Sequence, residues 1–487
     1  MNQKKTELST SLKWFYGIGD LGFTWMSNVE TFYFNVFLTN IAGFSAVTAG
    51  LIGTVTSTVD ACLSWIYGAI INSIKPLKWG RYRSWLVLLP WLVPFIYAFQ
   101  FLKIGGDAAA PIIISIAFIV SHILWNFGYV ANVSMIAVAA NSGEERATLA
   151  SMRGTYNNLG GVLFSYVFPF VTGLVAFVGQ QNTYAAAAFI FGVLTALGYF
   201  AHFKMFDGYE VIEEAGSAAP SRQKTSIGDI IRALNVQVVS LLIADLAKWM
   251  IKFVIAAVAA YYWEVVAKNV LFGNGMAIQP FYVLCTGIAG VIGAFAAQYI
   301  AKAVGNRMAM IISYIAMAIM LLIGYFAFQN ADLVFIMITL VNFFYGVSYA
   351  SSPALYADAV IYSEWKTKKN AAGWISGLQN LPLKVAVMTR SIIVNACLAV
   401  GAFDTLKFAV IKSLQTDANA AKVAEATQII SSDPSKLEGL QRAISMGFML
   451  IPAIALIIGL VFLLFGYTLN KEKIAQYQAE IAQNKGE

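Results

Sequence analysis

Charged side chains are scarce in this chain. Asp, Glu, Lys and Arg make up 12% of its 487 residues, about half the roughly 25% usual in soluble domains. That shortage excludes a water-soluble helical core of this size, which needs far more charged surface. Histidine is nearly missing: His122 and His202 are the two in the chain, and they read as isolated. With Cys62, Cys285 and Cys397 they form no metal-ligand spacing and no disulfide framework, and the cysteines read as small inert hydrophobes. No phosphate-binding loop and no nucleophile motif occurs, which argues against an enzyme and against any cofactor. No removable leader is expected, because residues 1–12 are polar and precede a long span without a small-residue cleavage site.

What is present is apolar sequence, 59% of the chain. Runs longer than about 18 apolar residues read as membrane-crossing helices. Candidate spans are 14–40, 46–74, 84–102, 112–140, 154–178, 183–206, 235–263, 276–300, 308–328, 333–357, 371–401 and 444–469, twelve in all. The cations sort by connection. Lys75, Lys78, Arg81 and Arg83, then Arg146 and Arg153, then Lys204, Arg222, Lys224 and Arg232, then Lys302 and Arg307, then Lys366, Lys368 and Lys369 all fall on one side. Short connections on the other side hold little beyond Lys103 and Lys268. Positive residues mark the cytoplasmic face, so both termini are expected on the cytoplasmic side. The net charge of +7 then reflects loop topology, with the lipid bilayer as partner and no nucleic acid. The loop at 403–442 is placed outside; its Lys407, Lys412, Lys422, Lys436 and Arg442 are mixed with acids.

Residues 207–234 are charged, small and polar, and read as a cytoplasmic linker between two six-helix bundles, 1–206 and 235–470, with a cytoplasmic tail at 471–487. The expected class is an all-α membrane protein of twelve helices in two bundles enclosing a midplane site, acting as a monomer. The halves echo each other at Trp79-Gly80-Arg81-Tyr82-Arg83 and Gly305-Asn306-Arg307. Arginines there can bind helix C-termini on the opposite bundle.

Two acids stand in the middle of otherwise uncharged spans, Glu30 and Asp60. A charge at that depth costs at least ~2.5–3.5 kcal/mol on insertion scales, so such groups usually serve an ion, a proton or a polar substrate. Asp20 lies ten residues before Glu30, roughly 15 Å along the helix, and reads as an inter-helix hydrogen-bonding group. Asp245, Lys248 and Lys252 share one helix face. They read as an internal Asp245–Lys248 pair with Lys252 reaching polar water, or as an anion site for a carboxylated or sulfonated substrate. Arg390 snorkels or lines an outer vestibule. Trp125, Tyr129, Tyr349 and Trp374 are candidate stacking partners for the apolar face of a substrate.

A longer series carries more. Tyr16-Gly17-Ile18-Gly19-Asp20 opens span one and Thr39-Asn40-Ile41-Ala42-Gly43 closes it, Asp60 centres span two, and Lys78-Trp79-Gly80-Arg81-Tyr82-Arg83 follows. Then come Glu145-Arg146-Ala147-Thr148-Leu149 with Arg153, Ala357-Asp358 with Tyr362, Glu364, Lys366 and Thr367, and finally Lys384. This series resembles the glycoside–pentoside–hexuronide:cation symporters over nearly the whole chain. The resemblance implies a major-facilitator fold and uptake of a sugar or glycoside coupled to Na⁺ or H⁺ by alternating access. A symporter or uniporter of a non-sugar amphipathic metabolite on the same fold is the alternative.

The resemblance and the residues' own chemistry together give the expected roles. Cation coupling falls on Asp60, Ser64, Asn126 and Lys384, with any Na⁺ at Asp60. Substrate contacts fall on Thr24, Glu30, Asn126, Tyr129, Tyr349, Gln379, Asn380 and Lys384. Gating falls on Arg81, Arg83, Arg146, Arg153, Asp358 and Glu364, with Arg153 either lining the inner pathway or anchored to Glu144 and Glu145. Three departures from the family pattern stand out: Ser64 replaces a second acid, Phe23 and Thr24 replace a charged pair, and Asn126 replaces an acid. Lys384 would pair with Asp60 when no cation is bound, or hold the halves together as a permanent tie. Glu30 belongs to no quoted family motif.

Overall fold

The computed structural model describes residues 5, 7–63, 66–140, 142–210, 234–267, 278–367, 375 and 378–486. It divides into two compact units, Met1–Pro220 and Ser221–Glu487. The expected linker falls mostly on 211–233 and lies outside the described residues. Apart from one bridge between Leu77 and Gly80, the regular structure among the described residues is helical. In lipid a helix satisfies every backbone N–H and C=O within its own segment.

The first unit contains α1 (Thr10–Phe15), α2 (Ile18–Val29), α3 (Ala46–Leu63), α4 (Ile66–Ser73), α5 (Trp85–Leu88), α6 (Val93–Phe99), α7 (Ala110–Ala139), α8 (Gly143–Leu174) and α9 (Gln180–Met205). Helix α2 runs on through two π-helical turns, Glu30–Phe34 and Phe37–Ile41. The second unit contains α10 (Val236–Tyr261), α11 (Gln279–Val304), α12 (Asn306–Phe326), α13 (Ala331–Thr367), α14 (Leu381–Val400), α15 (Phe403–Val410), α16 (Ala420–Ser432), α17 (Ser435–Ser445), α18 (Ile451–Val461) and α19 (Lys471–Gly486). A π-helical turn, Tyr262–Val266, ends α10 as one ends α2.

Eight described helices are long and apolar enough to cross a membrane. The remaining expected spans fail that measure for visible reasons. Span one carries Asp20 and Glu30 and is interrupted by π turns. The third is broken into α5 and α6 around Pro90 and Pro94. Helix α8 begins eleven residues before the expected start at 154 because Ser142 accepts a hydrogen bond from the Glu145 N–H at 3.1 Å, capping a charged first turn. Helix α10 holds Asp245, Lys248 and Lys252. The last span also starts early: Ser435–Gly466 is helical throughout, so the end of the expected 403–442 loop is the polar start of that helix.

Tight packing positions these helices. In the second unit α11 crosses α13 at Gly293 and Gly346; a Cβ on Gly293 would strike the Phe343 carbonyl, and one on Gly346 the Gly290 carbonyl. Small residues at such crossings let two backbones touch, which replaces the missing hydrophobic drive between helices in lipid.

Candidate functional site

The coupling candidates Asp60 and Asn126 meet inside the first unit. Asn126 Nδ2 donates to Asp60 Oδ1 at 3.1 Å and to the His122 carbonyl at 2.8 Å. Asn126 is buried and Asp60 is half-buried. Ser64 lies outside the described residues. Lys384 belongs to the second unit, on the first turn of α14, where its N–H donates to the Asn380 carbonyl at 3.3 Å.

Glu30 sits at the first residue of the π turn that follows α2, and it is 8% exposed. Its Oε1 accepts from Gln100 Nε2 at 3.1 Å, and its Oε2 lies 3.2 Å from His122 Nε2. Ser121 Oγ donates to Gln100 Oε1 at 3.4 Å. The His122 ring is stacked on Phe118 at 3.9 Å and tilted against Trp125 at 4.4 Å. Glu30 and Asp60 therefore address adjacent turns of α7, through His122 and Asn126.

A second network lies nearer the N-terminal end of α2. Arg153 grips the fully buried Asp20 with two bonds, Nε to Oδ2 at 2.9 Å and NH2 to Oδ1 at 2.6 Å. Asn132 Nδ2 donates to the same Oδ2 at 3.1 Å, and Asn132 Oδ1 lies 2.8 Å from His202 Nδ1. The backbone N–H groups of Gly17 and Gly19 both donate to His202 Nε2 at 3.3 Å. Arg153 is thus anchored to Asp20, where an anchor at Glu144 and Glu145 was expected: the buried carboxylate on the facing helix gives it two charge-assisted bonds. Both histidines are hydrogen-bonded, and neither joins a group of ligands able to hold a metal ion among the described residues.

Thr24 Oγ1 hydrogen-bonds the Asp20 carbonyl at 2.8 Å and Asn157 Oδ1 at 2.7 Å. Beside it Phe23 stacks on Tyr129 at 4.5 Å and leans on Trp125 at 5.0 Å, while the Arg153 guanidinium stands 5.3 Å over the Tyr129 ring. In the second unit Tyr349 is 48% exposed on α13, with Trp249 edge-on at 5.8 Å and Lys248 Nζ 5.8 Å from its ring. Gln379 and Asn380 form the turn before α14, and Trp374 lies outside the described residues. Arg390 is buried on α14.

The span-seven charges take the internal arrangement: Lys248 Nζ donates to Asp245 Oδ1 at 2.7 Å, and Ser352 Oγ from α13 donates to both carboxylate oxygens at 2.8 and 3.0 Å. Lys252, by contrast, is exposed and makes no ion pair among the described residues.

Among the gating candidates, Arg83 donates from Nε to the Phe203 carbonyl at 2.8 Å and pairs with Asp207 at 2.7 Å. Arg307 NH2 donates to the Leu463 and Leu464 carbonyls at 3.2 and 3.0 Å. Arg83 thus caps the C-terminal end of α9, and Arg307 the C-terminal end of the span Ser435–Gly466. Arg81 NH1 donates to the Ile74 carbonyl at 3.1 Å. Glu210 lies in a nest made by the N–H groups of Arg81, Tyr82 and Arg83, at 2.8 to 3.2 Å. Gly80, at φ 119°, leaves room for this carboxylate, which a Cβ would strike. Burial pushes the Glu210 carboxyl up, and the three backbone donors only partly offset it. Arg146 is exposed at the start of α8, and Asp358 and Glu364 are half-buried on α13.

Sequence reasoning missed His122, Gln100, Asn132 and Glu210. A signal existed for the first: His122 precedes Asn126 by four residues, hence on one helix face. Glu210 had none, since its nest is built from backbone.

Comparison with known proteins adds identity to geometry. A family model described as MFS/sugar transport protein matches residues 15–471. The putative sulfoquinovose importer of Escherichia coli K12 is 25% identical over 482 residues, covering 96% of this chain and 93% of that protein. The isoprimeverose transporter of Lactiplantibacillus pentosus is 20% identical, with 82% of each chain covered. Among solved structures, a bacterial homologue of the human lysosomal transporter Spinster, inward-facing and unoccupied, aligns with a TM-score of 0.61 at 11% identity over 94% of this chain and 95% of its own. The nucleoside transporter NupG aligns with a TM-score of 0.57 at 11% identity, covering 88% of this chain and 99% of that one.

Proposed function

Because the chain belongs to the MFS/sugar transport protein family, we propose that it imports a sugar or glycoside by alternating access, coupled to entry of Na⁺ or H⁺. Membership makes it a multi-pass membrane transporter of the major facilitator fold, not an enzyme. Coupling is the finer step, and one observation carries it: a half-buried carboxylate at mid-span, Asp60, held by the Asn126 amide. Intramembrane acids are costly and mark ion or proton pathways. The carboxylate and the neutral amide oxygen of Asn126 supply hard ligands for Na⁺, or Asp60 takes up H⁺.

The expected substrate contacts, Thr24, Glu30, Asn126 and Tyr129 in the first unit and Tyr349, Gln379, Asn380 and Lys384 in the second, offer rings, amides, hydroxyls and charged groups, the mixture a sugar needs. An anionic sugar fits best. Relatives bear the names putative sulfoquinovose importer and putative 2,3-dihydroxypropane-1-sulfonate exporter, and Lys252 on α10 carries a cation with no ion pair among the described residues. The gate is assigned to Arg81, Arg83, Arg146, Arg153, Asp358 and Glu364, in a bacterial cytoplasmic membrane with both termini inside. The transporter acts as a monomer.

The test is uptake of radiolabelled sulfoquinovose and isoprimeverose into proteoliposomes under an imposed Na⁺ or H⁺ gradient. Accumulation above equilibrium under one gradient is expected. Equilibration without accumulation of either sugar would make the chain a uniporter, and transport of neither would favour the non-sugar metabolite.

A further inference from the structure

The two histidines of this chain sit in opposite surroundings, and the contrast assigns a proton. A neutral imidazole has one N–H and one bare nitrogen; only the imidazolium donates from both. Around His202 the account closes with the neutral ring: Nδ1 donates to Asn132 Oδ1 at 2.8 Å, and bare Nε2 accepts from Gly17 and Gly19. Around His122 it does not close. Its Nδ1 lies 2.9 Å from the Phe118 carbonyl, which can only accept, so Nδ1 carries its hydrogen. Its Nε2 then faces Glu30 Oε2 at 3.2 Å. A bare nitrogen against a bare carboxylate oxygen is a buried repulsive contact, so one further proton lies between them. It makes either imidazolium–carboxylate or imidazole–carboxylic acid.

From this geometry we propose that the Glu30–His122 pair is the seat of the coupling proton, and that the arrangement seen is the loaded one. This rests on the symport reading above and narrows its ion to H⁺. The surroundings suit a proton and not a metal ion. Both Glu30 oxygens already face nitrogen, from Gln100 Nε2 and His122 Nε2, whereas a hard cation needs a shell of oxygens. The titratable groups facing the pair from the packed helices are Tyr97 on α6 and Asp60 on α3. Tyr97 donates its hydroxyl hydrogen to the Met26 carbonyl at 2.7 Å, and Asp60 is tied to the His122 turn through Asn126.

Unloading has a structural consequence. When the proton leaves to water, Nε2 and Oε2 are both acceptors and the contact must open. Glu30 begins a π-helical turn, a local irregularity that can shift with little loss of backbone bonding. His122 lies one turn from Asn126, whose amide holds Asp60. Proton loss at the pair therefore loosens the same helix face that positions Asp60.

The site can be read directly by ¹⁵N NMR of histidine-labelled full-length protein in proteoliposomes, since only two histidines contribute and His122→Gln removes one. The expected result is a His122 Nδ1 that keeps its hydrogen throughout, with Nε2 losing its shared proton in a single step between about pH 5 and 9. Glu30→Gln lets the side-chain amide donate to Nε2, so that nitrogen should be bare where the wild type is loaded. In transport, the wild type's affinity for whichever sugar the vesicles accumulate should change about tenfold per pH unit across that step, and both variants should flatten the profile. A His122 with hydrogen on Nε2 and a bare Nδ1, or one whose protonation never changes over that range, overturns the proposal. So does an unaltered pH profile in folded Glu30→Gln and His122→Gln. If the wild type equilibrates sugar but accumulates it under neither gradient, the symport reading fails on its own, whatever the NMR shows.

Discussion

Arg153 reaches across from α8 to α2 and holds Asp20 by two parallel charge-assisted hydrogen bonds, 2.9 Å from Nε and 2.6 Å from NH2. Asp20 is wholly buried and also accepts from Asn132. Desolvating both ions is expensive, so the pair stabilises little against an apolar replacement, but breaking one side strands a buried charge. Arg153→Gln or Asp20→Asn should each cost about 3–5 kcal/mol. The double variant should cost less than the sum by roughly 0.5–3 kcal/mol. Thermal unfolding in detergent measures all three, and strict additivity would show the pair to be uncoupled.

That relationship also marks how far the sequence could be read. The family motif at residues 16–20 pointed to Asp20, and the length of apolar runs gave the helices, because both are local in sequence. The partner of Asp20 was not legible: Arg153 lies 133 residues away, beside the closer Glu144 and Glu145. Asp60 and Asn126, which the resemblance assigns to one site, meet through a hydrogen bond. The ends of α8 and of the last span were misjudged, because polar capped turns extend them beyond their apolar cores.

Glu210 gives a pH dependence of defined sign. Its folded carboxyl is held above the usual 4.5 by burial. The folded state therefore keeps a proton that the unfolded chain has already released. Stability from this group is full below pH 4.5 and falls as pH rises through the raised value. Hydrogen exchange at the amides of Arg81, Tyr82 and Arg83 should speed up over that window beyond its intrinsic rise. In Glu210→Gln this extra slope should vanish; a slope that survives would assign it to another group.

The crossing of α11 and α13 has no room for a side chain at Gly346. Gly346→Val should lower stability by about 1–3 kcal/mol or more, read as a drop in melting temperature and in monodisperse yield. Gly439→Ala, with nothing within 4 Å of its added Cβ, should leave both nearly unchanged. Equal behaviour of the two variants would contradict the packing described.

Lys252 separates the substrate classes. Replacing its ammonium by Lys252→Met should weaken uptake of sulfoquinovose by about tenfold, the worth of one charge-assisted contact, and change uptake of isoprimeverose far less. Equal loss for both sugars would assign Lys252 to the structure of the helix.

The central claim is that Asp60 couples substrate entry to a cation. Asp60→Asn keeps the shape of the side chain and removes its charge, so gradient-driven accumulation in proteoliposomes compares the two directly. The account predicts that the wild type accumulates labelled sugar above equilibrium and that Asp60→Asn reaches equilibrium without accumulating. Undiminished accumulation by Asp60→Asn would contradict it.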